Sequence, residues 1–203
     1  WNTRCAAGPC DWKRIRDTGG PGASTTAIAV NRDTIYAAWC FPGSGCNPGQ
    51  GFEFDSGIDT NYGGRWHTVN APNLPNRYIN QVTVDPKDPA HVYAVYGAFS
   101  RRWIPGAGVG HVFESSNGGR TWRDISGNLP DIPADDLLLW KDKLVLATDS
   151  NVYIAERNDP SAWTRFGRRL PKSATWDLTP SPDGSYIVAA THGRGLWSIN
   201  FPK

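Results

Sequence analysis

The chain has 203 residues, a formal net charge of +2 and 39% hydrophobic residues, enough for one substantial core. Lys and Arg are scattered, with Arg101-Arg102 and Arg168-Arg169 as pairs, so the basic stripe of a nucleic-acid binder is absent. No apolar run approaches the roughly 20 residues of a helical membrane span, and no cofactor motif is present.

The first residue is Trp1 and Met is absent, which reads as a processed product or a piece of something longer. Residues 1–4 and 11–15 read as two strands around Cys5-Ala6-Ala7-Gly8-Pro9-Cys10, a hairpin spanning residues 1–16. Beyond it, strand-like runs recur in order. Residues 25–30, 78–84, 136–140 and 175–179 form one set, and 34–39, 91–96, 144–148 and 186–191 a second. Residues 51–55, 111–114, 152–156 and 196–200 form a third. Turn signals such as Asp85-Pro86-Lys87-Asp88-Pro89 and Pro182-Asp183-Gly184 separate them.

A fourth run carries Trp in phase: Trp12-Ile15, Trp66-Val69, Trp122-Ile125 and Trp163-Phe166, 41 to 56 residues apart. Leu74-Pro75, Leu129-Pro130 and Leu170-Pro171 follow three of them. Four short strands per repeat is the composition of one β-propeller blade. A β-sandwich with regular turns is the competing fold, but it gives no reason for Trp and Leu-Pro to recur together. The expected units are therefore residues 24–69, 78–125, 134–166 and 175–201, within a single all-β domain of four-stranded antiparallel blades spanning residues 1–203.

The clearest turn is Ser115-Ser116-Asn117-Gly118-Gly119-Arg120-Thr121-Trp122. Ser115 and Asn117 can bond backbone N–H groups, Gly119 can take positive φ, and Trp122 covers the hairpin. This stretch resembles the Asp-box of bacterial neuraminidase-like (BNR-type) and sortilin-like repeats, with Asn117 in place of Asp. Decayed copies precede Trp66 (Asn61-Tyr62-Gly63-Gly64-Arg65) and Trp163 (Asn158-Asp159-Pro160-Ser161-Ala162). The resemblance implies a β-propeller whose box turns lie on the outer rim, away from any site. Residues 175–201 supply only three strands. Either the N-terminal strand closes a four-bladed ring, or the chain is the C-terminal part of a larger propeller. The two N-terminal strands favour the second reading.

Cys5/Cys10 and Cys40/Cys46 lack zinc-site spacing and read as disulfide staples on loops, with pairing between the two sets left open. Disulfides imply a secreted or otherwise extracytoplasmic protein. Binding is expected on the face where second-to-third-strand loops gather. Its candidates are Trp39, Arg101, Arg102, Trp103, His192 and Arg194, with an exposed Trp beside Arg suiting a sugar ring or an acidic ligand. Each Trp can equally pack down its own loop.

The expected function is a non-catalytic binding module for a glycan or protein partner. Neuraminidase chemistry would need an Arg-Ile-Pro signature that is missing, and the three glutamates, Glu53, Glu114 and Glu156, fall on third strands. The alternative is a glycoside hydrolase of the neuraminidase or oligoxyloglucan-hydrolase kind, its site shared with a missing segment. Asp136 and Asp177, beside Asp135, are its carboxylate candidates, with strand-start capping as their competing role. A third possibility is a structural subunit of an extracellular assembly that contacts copies of itself.

Overall fold

The computed structural model describes residues 11–41, 56–69, 71–100 and 109–201. Among them are four antiparallel sheets in chain order and no helix. Sheet 1 runs β1 (Ser24–Asn31), β2 (Thr34–Cys40), β3 (Ser56–Thr60), β4 (His67–Thr68). Sheet 2 runs β5 (Ile79–Val84), β6 (Val92–Tyr96), β7 (Val112–Ser115), β8 (Arg123–Asp124). Sheet 3 runs β9 (Ala134–Trp140), β10 (Lys143–Thr148), β11 (Val152–Glu156), β12 (Asp159–Arg165). Sheet 4 has three strands, β13 (Thr175–Pro180), β14 (Tyr186–Thr191) and β15 (Gly195–Asn200).

The first strands touch in series, β1 with β5, β5 with β9 and β9 with β13. Each sheet thus lays its face on the next, with β1, β5, β9 and β13 innermost. This is the radial blade arrangement of a β-propeller, and the sheets are blades 1 to 4. The core is correspondingly three layers, each between two blades. Tyr36, Ala38 and Ile58 of blade 1 pack on Ile79, Val82 and Phe113 of blade 2. Val95, Val112 and Ile125 of blade 2 meet Leu137, Leu144 and Trp163 of blade 3. Val145, Ala147 and Val152 of blade 3 meet Leu178, Ile187 and Ala189 of blade 4.

This layering explains the strand patterns. A strand covered on one side alternates, whereas β6 (Val-Tyr-Ala-Val-Tyr) is buried at every residue because blade 2 has a neighbour on each face. The connectors join the layers: Leu74, Leu129 and Leu170 pack against the three clusters. Asn73 Nδ2 donates to the Trp122 carbonyl (2.6 Å), and Asn128 Nδ2 to that of Trp163 (2.9 Å). Each Asn-Leu-Pro connector therefore ties down the outer Trp strand of the blade that follows it.

The turn at 115–122 is built on Ser115 and Asn117. Ser115 Oγ accepts Gly119 N (2.9 Å), and Asn117 Oδ1 accepts Thr121 N (2.9 Å). The Trp122 indole donates to the Gly119 carbonyl at 3.0 Å. Gly118 and Gly119 have φ of 72° and 88°, and a Cβ on Gly118 would lie 2.0 Å from the Tyr62 ring of blade 1.

Several expectations need correction. Among the described residues the third strand of blade 1 is Ser56–Thr60, and the expected run 51–55 lies outside them. Residues 11–15 form no strand, and Trp12 is 103% exposed, so it anchors no sheet. Of the segment before Trp163, Asn158 lies in a turn but residues 159–162 belong to β12, an edge strand that tolerates Pro160 because an edge N–H needs no partner. Cys40 is disulfide-bonded; Cys5, Cys10 and Cys46 lie outside the described residues.

Candidate binding face

Every innermost strand carries a β-bulge at the same place. The register slips between Thr25 and Ala27, Ile79 and Gln81, and Thr175 and Asp177, and in blade 3 around Asp135. The extra residues are Thr26, Asn80, Asp135 and Trp176. A bulge re-aims one side chain out of the alternating pattern, and here it does so once per blade at the start of each inner strand. The four side chains therefore gather at one mouth of the propeller axis.

Around the ring these residues differ in chemistry. Asn80 Nδ2 donates to the Ala134 carbonyl (2.8 Å) and to Asp135 Oδ1 (3.2 Å), linking blades 2 and 3. Gly97, directly after β6, leaves room for it: a Cβ there would come within 2.7 Å of the amide. Asp135 has its other oxygen, Oδ2, buried without a hydrogen-bond partner. Burial, and then the charges of Asp149 and Asp136, push its carboxyl up to about 7. Asp149 follows β10 as Gly97 follows β6, and burial raises its carboxyl too. In blade 4 the pair becomes Trp176 over His192, stacked at 4.3 Å with 22° between the planes. Trp176 is 57% exposed and presents an aromatic surface to solvent.

One residue further along, the inner strands are tied to one another. Asp136 is buried; its Oδ1 accepts Gln81 Nε2 of blade 2 (3.0 Å) and Leu137 N (2.8 Å), while Oδ2 accepts Leu178 N of blade 4 (2.8 Å). Burial holds this carboxyl above its ordinary value. With both oxygens committed to three blades, Asp136 is a brace, in line with the backbone-capping role that competed with catalysis for it. Asp177, its counterpart in blade 4, is exposed and accepts Thr179 Oγ1 at 2.9 Å.

Of the two readings open for Trp39, packing inward is the one the structure forms. It is 7% exposed, wedged where a Cβ on Gly19 or Gly57 would fall 2.4 or 2.6 Å from its ring. Its indole donates to Asp59 Oδ1 at 3.0 Å. Asp59, fully buried in β3, also receives Thr68 Oγ1 (2.8 Å) and Arg16 Nε (2.7 Å), and so fixes the 16–19 segment on blade 1. His192 and Arg194 sit on the loop face, and the Arg194 carbonyl accepts the Trp197 indole (2.8 Å). Arg101, Arg102 and Trp103 lie outside the described residues.

The base of their loop is nonetheless defined. Arg77, fully buried, donates to the carbonyls of Ala98 and Gly110, and Asp131 Oδ1 accepts Ser100 N (2.7 Å) and pairs with His111 Nε2 (2.9 Å). Among the described residues no His, Cys, Asp and Glu cluster has the form of a metal site.

No protein-family model matches the chain. It is 29% identical over 148 residues to a xyloglucanase of Hypocrea jecorina (strain QM6a), a match covering 68% of this chain. By sequence, the chain is similar to a xyloglucanase. It spans only 15% of that relative's length. Among solved structures, the GH74 xyloglucanase of Xanthomonas campestris superposes with a TM-score of 0.60 at 12% identity, covering 87% of this chain and 29% of that one. An extracellular domain from B. thetaiotaomicron superposes equally well, at 0.60 and 11% identity, over 87% and 21%. At these identities the structural likeness establishes the fold.

Proposed function

We propose that the chain is an extracellular glycan-binding β-propeller that engages a polysaccharide of the xyloglucan class at the mouth formed by Asn80, Asp135 and Trp176. The observation that carries this reading is the exposed Trp176 indole braced on His192, on the blade next to the hydrogen-bonded Asn80–Asp135 pair. Sugar recognition needs an apolar plane for the ring face and polar groups for its hydroxyls. The sequence likeness to a xyloglucanase and the disulfide-bonded Cys40 support the ligand class and the extracellular setting. The 115–122 turn is an Asp-box with Asn117 in the Asp position, and its role is architectural. Affinity electrophoresis through gels containing xyloglucan tests the reading. Wild type is retarded, and Trp176→Ala weakens the interaction about tenfold. Unretarded wild type would overturn it, and retention by an immobilised protein instead would favour the protein-partner reading.

One observation favours glycoside hydrolysis as a second reading. A carboxyl held at about 7 beside another carboxylate is suited to general-acid work. Release of reducing ends by wild type and its loss in Asp135→Asn would establish it. A wild type that binds without cleaving would dismiss hydrolysis and leave binding intact.

A further inference from the structure

The chain has one Asn-Gly step, Asn117-Gly118, and it lies inside the turn that joins β7 to β8. The backbone nitrogen of a glycine has no Cβ beside it to hinder attack on the side-chain carbonyl carbon of the preceding asparagine. That attack forms a C–N bond, closes a five-membered imide and expels the amide nitrogen as ammonia. Water then opens the imide at one of its two carbonyls. One opening leaves aspartate with an ordinary backbone; the other leaves an isoaspartyl link, in which the chain runs through the side chain. The balance is one water consumed and one ammonia released, with no change of oxidation state.

In the folded turn the reacting groups are held apart. Gly118 is buried, and the proton its nitrogen must shed is bonded to the Ala90 carbonyl at 2.8 Å. Asn117 Oδ1 accepts Thr121 N (2.9 Å) and Ser115 Oγ (3.0 Å), while Nδ2 donates to Thr121 Oγ1 (2.8 Å). Attack therefore requires the turn to open and lose these bonds together. The two products differ in fit. Aspartate keeps the acceptor for Thr121 N, as a stronger, charged one, and its second oxygen accepts the Thr121 hydroxyl, which reverses its role. The isoaspartyl link adds one carbon to the backbone just before Gly118, which packs so tightly that a Cβ on it would fall 2.0 Å from the Tyr62 ring of blade 1.

We propose that Asn117 is a modification site of this chain: it deamidates when the 115–122 turn opens, and the turn re-forms only around the aspartate product. The outer hairpin of blade 2 thereby gains a negative charge without losing its fold. The same hydrogen bonds that shape the turn set how often the reaction occurs.

The test holds the whole chain at mildly alkaline pH, in buffer and in denaturing urea, and then digests it with trypsin. Mass spectrometry reads how much of the peptide ending at Arg120 has gained the mass of aspartate over asparagine. The folded chain should convert at least about tenfold more slowly than the unfolded one. Ser115→Ala removes the Oγ that bonds Gly119 N and Asn117 Oδ1, and should raise the folded rate toward the unfolded rate. Asn117→Asp makes the product directly and should melt no lower than wild type. After deamidation in urea and refolding, the natively folded fraction should carry the aspartyl peptide and be depleted of the isoaspartyl one. Equal rates in folded and unfolded chains would overturn the inference, as would a Ser115→Ala chain no faster than wild type. So would an Asn117→Asp chain that melts lower, or isoaspartate as abundant in the folded fraction as outside it.

Discussion

Blades 2 and 4 share a strand order and a bulge but not an environment. In blade 2, β6 is buried at every residue, whereas in blade 4, β13 shows solvent on four of six positions and β15 on five of six. The same positions carry the contrast: Val112 is fully buried in blade 2, and Leu196 is open in blade 4. In this architecture a side chain's worth is set less by its own strand than by whether a blade lies beyond it. The buried layers hold the molecule together, while the bulged residues Thr26, Asn80, Asp135 and Trp176 stand at one end of the inner strands, outside the three apolar clusters.

That contrast can be sharpened by paired substitutions. The largest effect is expected at Ile58→Ala, which empties part of the first layer and should cost about 3–4 kcal/mol in chemical denaturation. Its counterpart Leu196→Ala should stay within about 0.5 kcal/mol in the same measurement. Equal costs at the two sites would break the comparison. The next pair is Asp136→Ala and Asp177→Ala. Loss of Asp136 strands the Gln81 amide and two backbone N–H groups and should cost about 3 kcal/mol, whereas Asp177 should again be near neutral.

The last effect is a pH slope, spread over several pH units. The Asp135 carboxyl titrates in the folded state near 7, above its unfolded value of about 4. The folded chain therefore binds the extra proton, and Asp135 makes stability fall as pH rises from about 4 through 7. Asp135→Asn should flatten that part of the profile and leave it unchanged below pH 4. Glu114 acts in the opposite sense. Burial pushes its carboxyl up, but hydrogen bonds from His91 and Arg123 outweigh that and bring it down to about 2. Its contribution is present above about 4.5 and is lost as pH falls toward 2. Glu114→Gln should remove this acid-side dependence.

Much of the architecture was legible because it is written in local chemistry. The 115–122 turn needs Ser, Asn and Gly at fixed offsets, and these form the bonds their types suggest. The Leu-Pro connectors mark each passage between blades, and the second strands of all four blades fall within about a residue of expectation. The mouth was not legible. A bulge is a slip in pairing between two strands, and Thr26, Asn80, Asp135 and Trp176 share no residue type that would announce it. Asp59 was missed because a carboxylate in a strand reads as solvent-facing until its donors, from Arg16, Trp39 and Thr68, arrive from other segments. For Trp39 the sequence left exposure and inward packing equally open, because the slot that draws it inward is made by Gly19 and Gly57 from other segments. Trp176 was counted only as a strand residue, and its role depends on His192, sixteen positions later.

Amide hydrogen exchange tests the layered account most directly. The account predicts the slowest exchange in β6 and β10, each enclosed by a blade on both sides, and markedly faster exchange in β13 and β15. Exchange as slow in β13 and β15 as in β6 would contradict it.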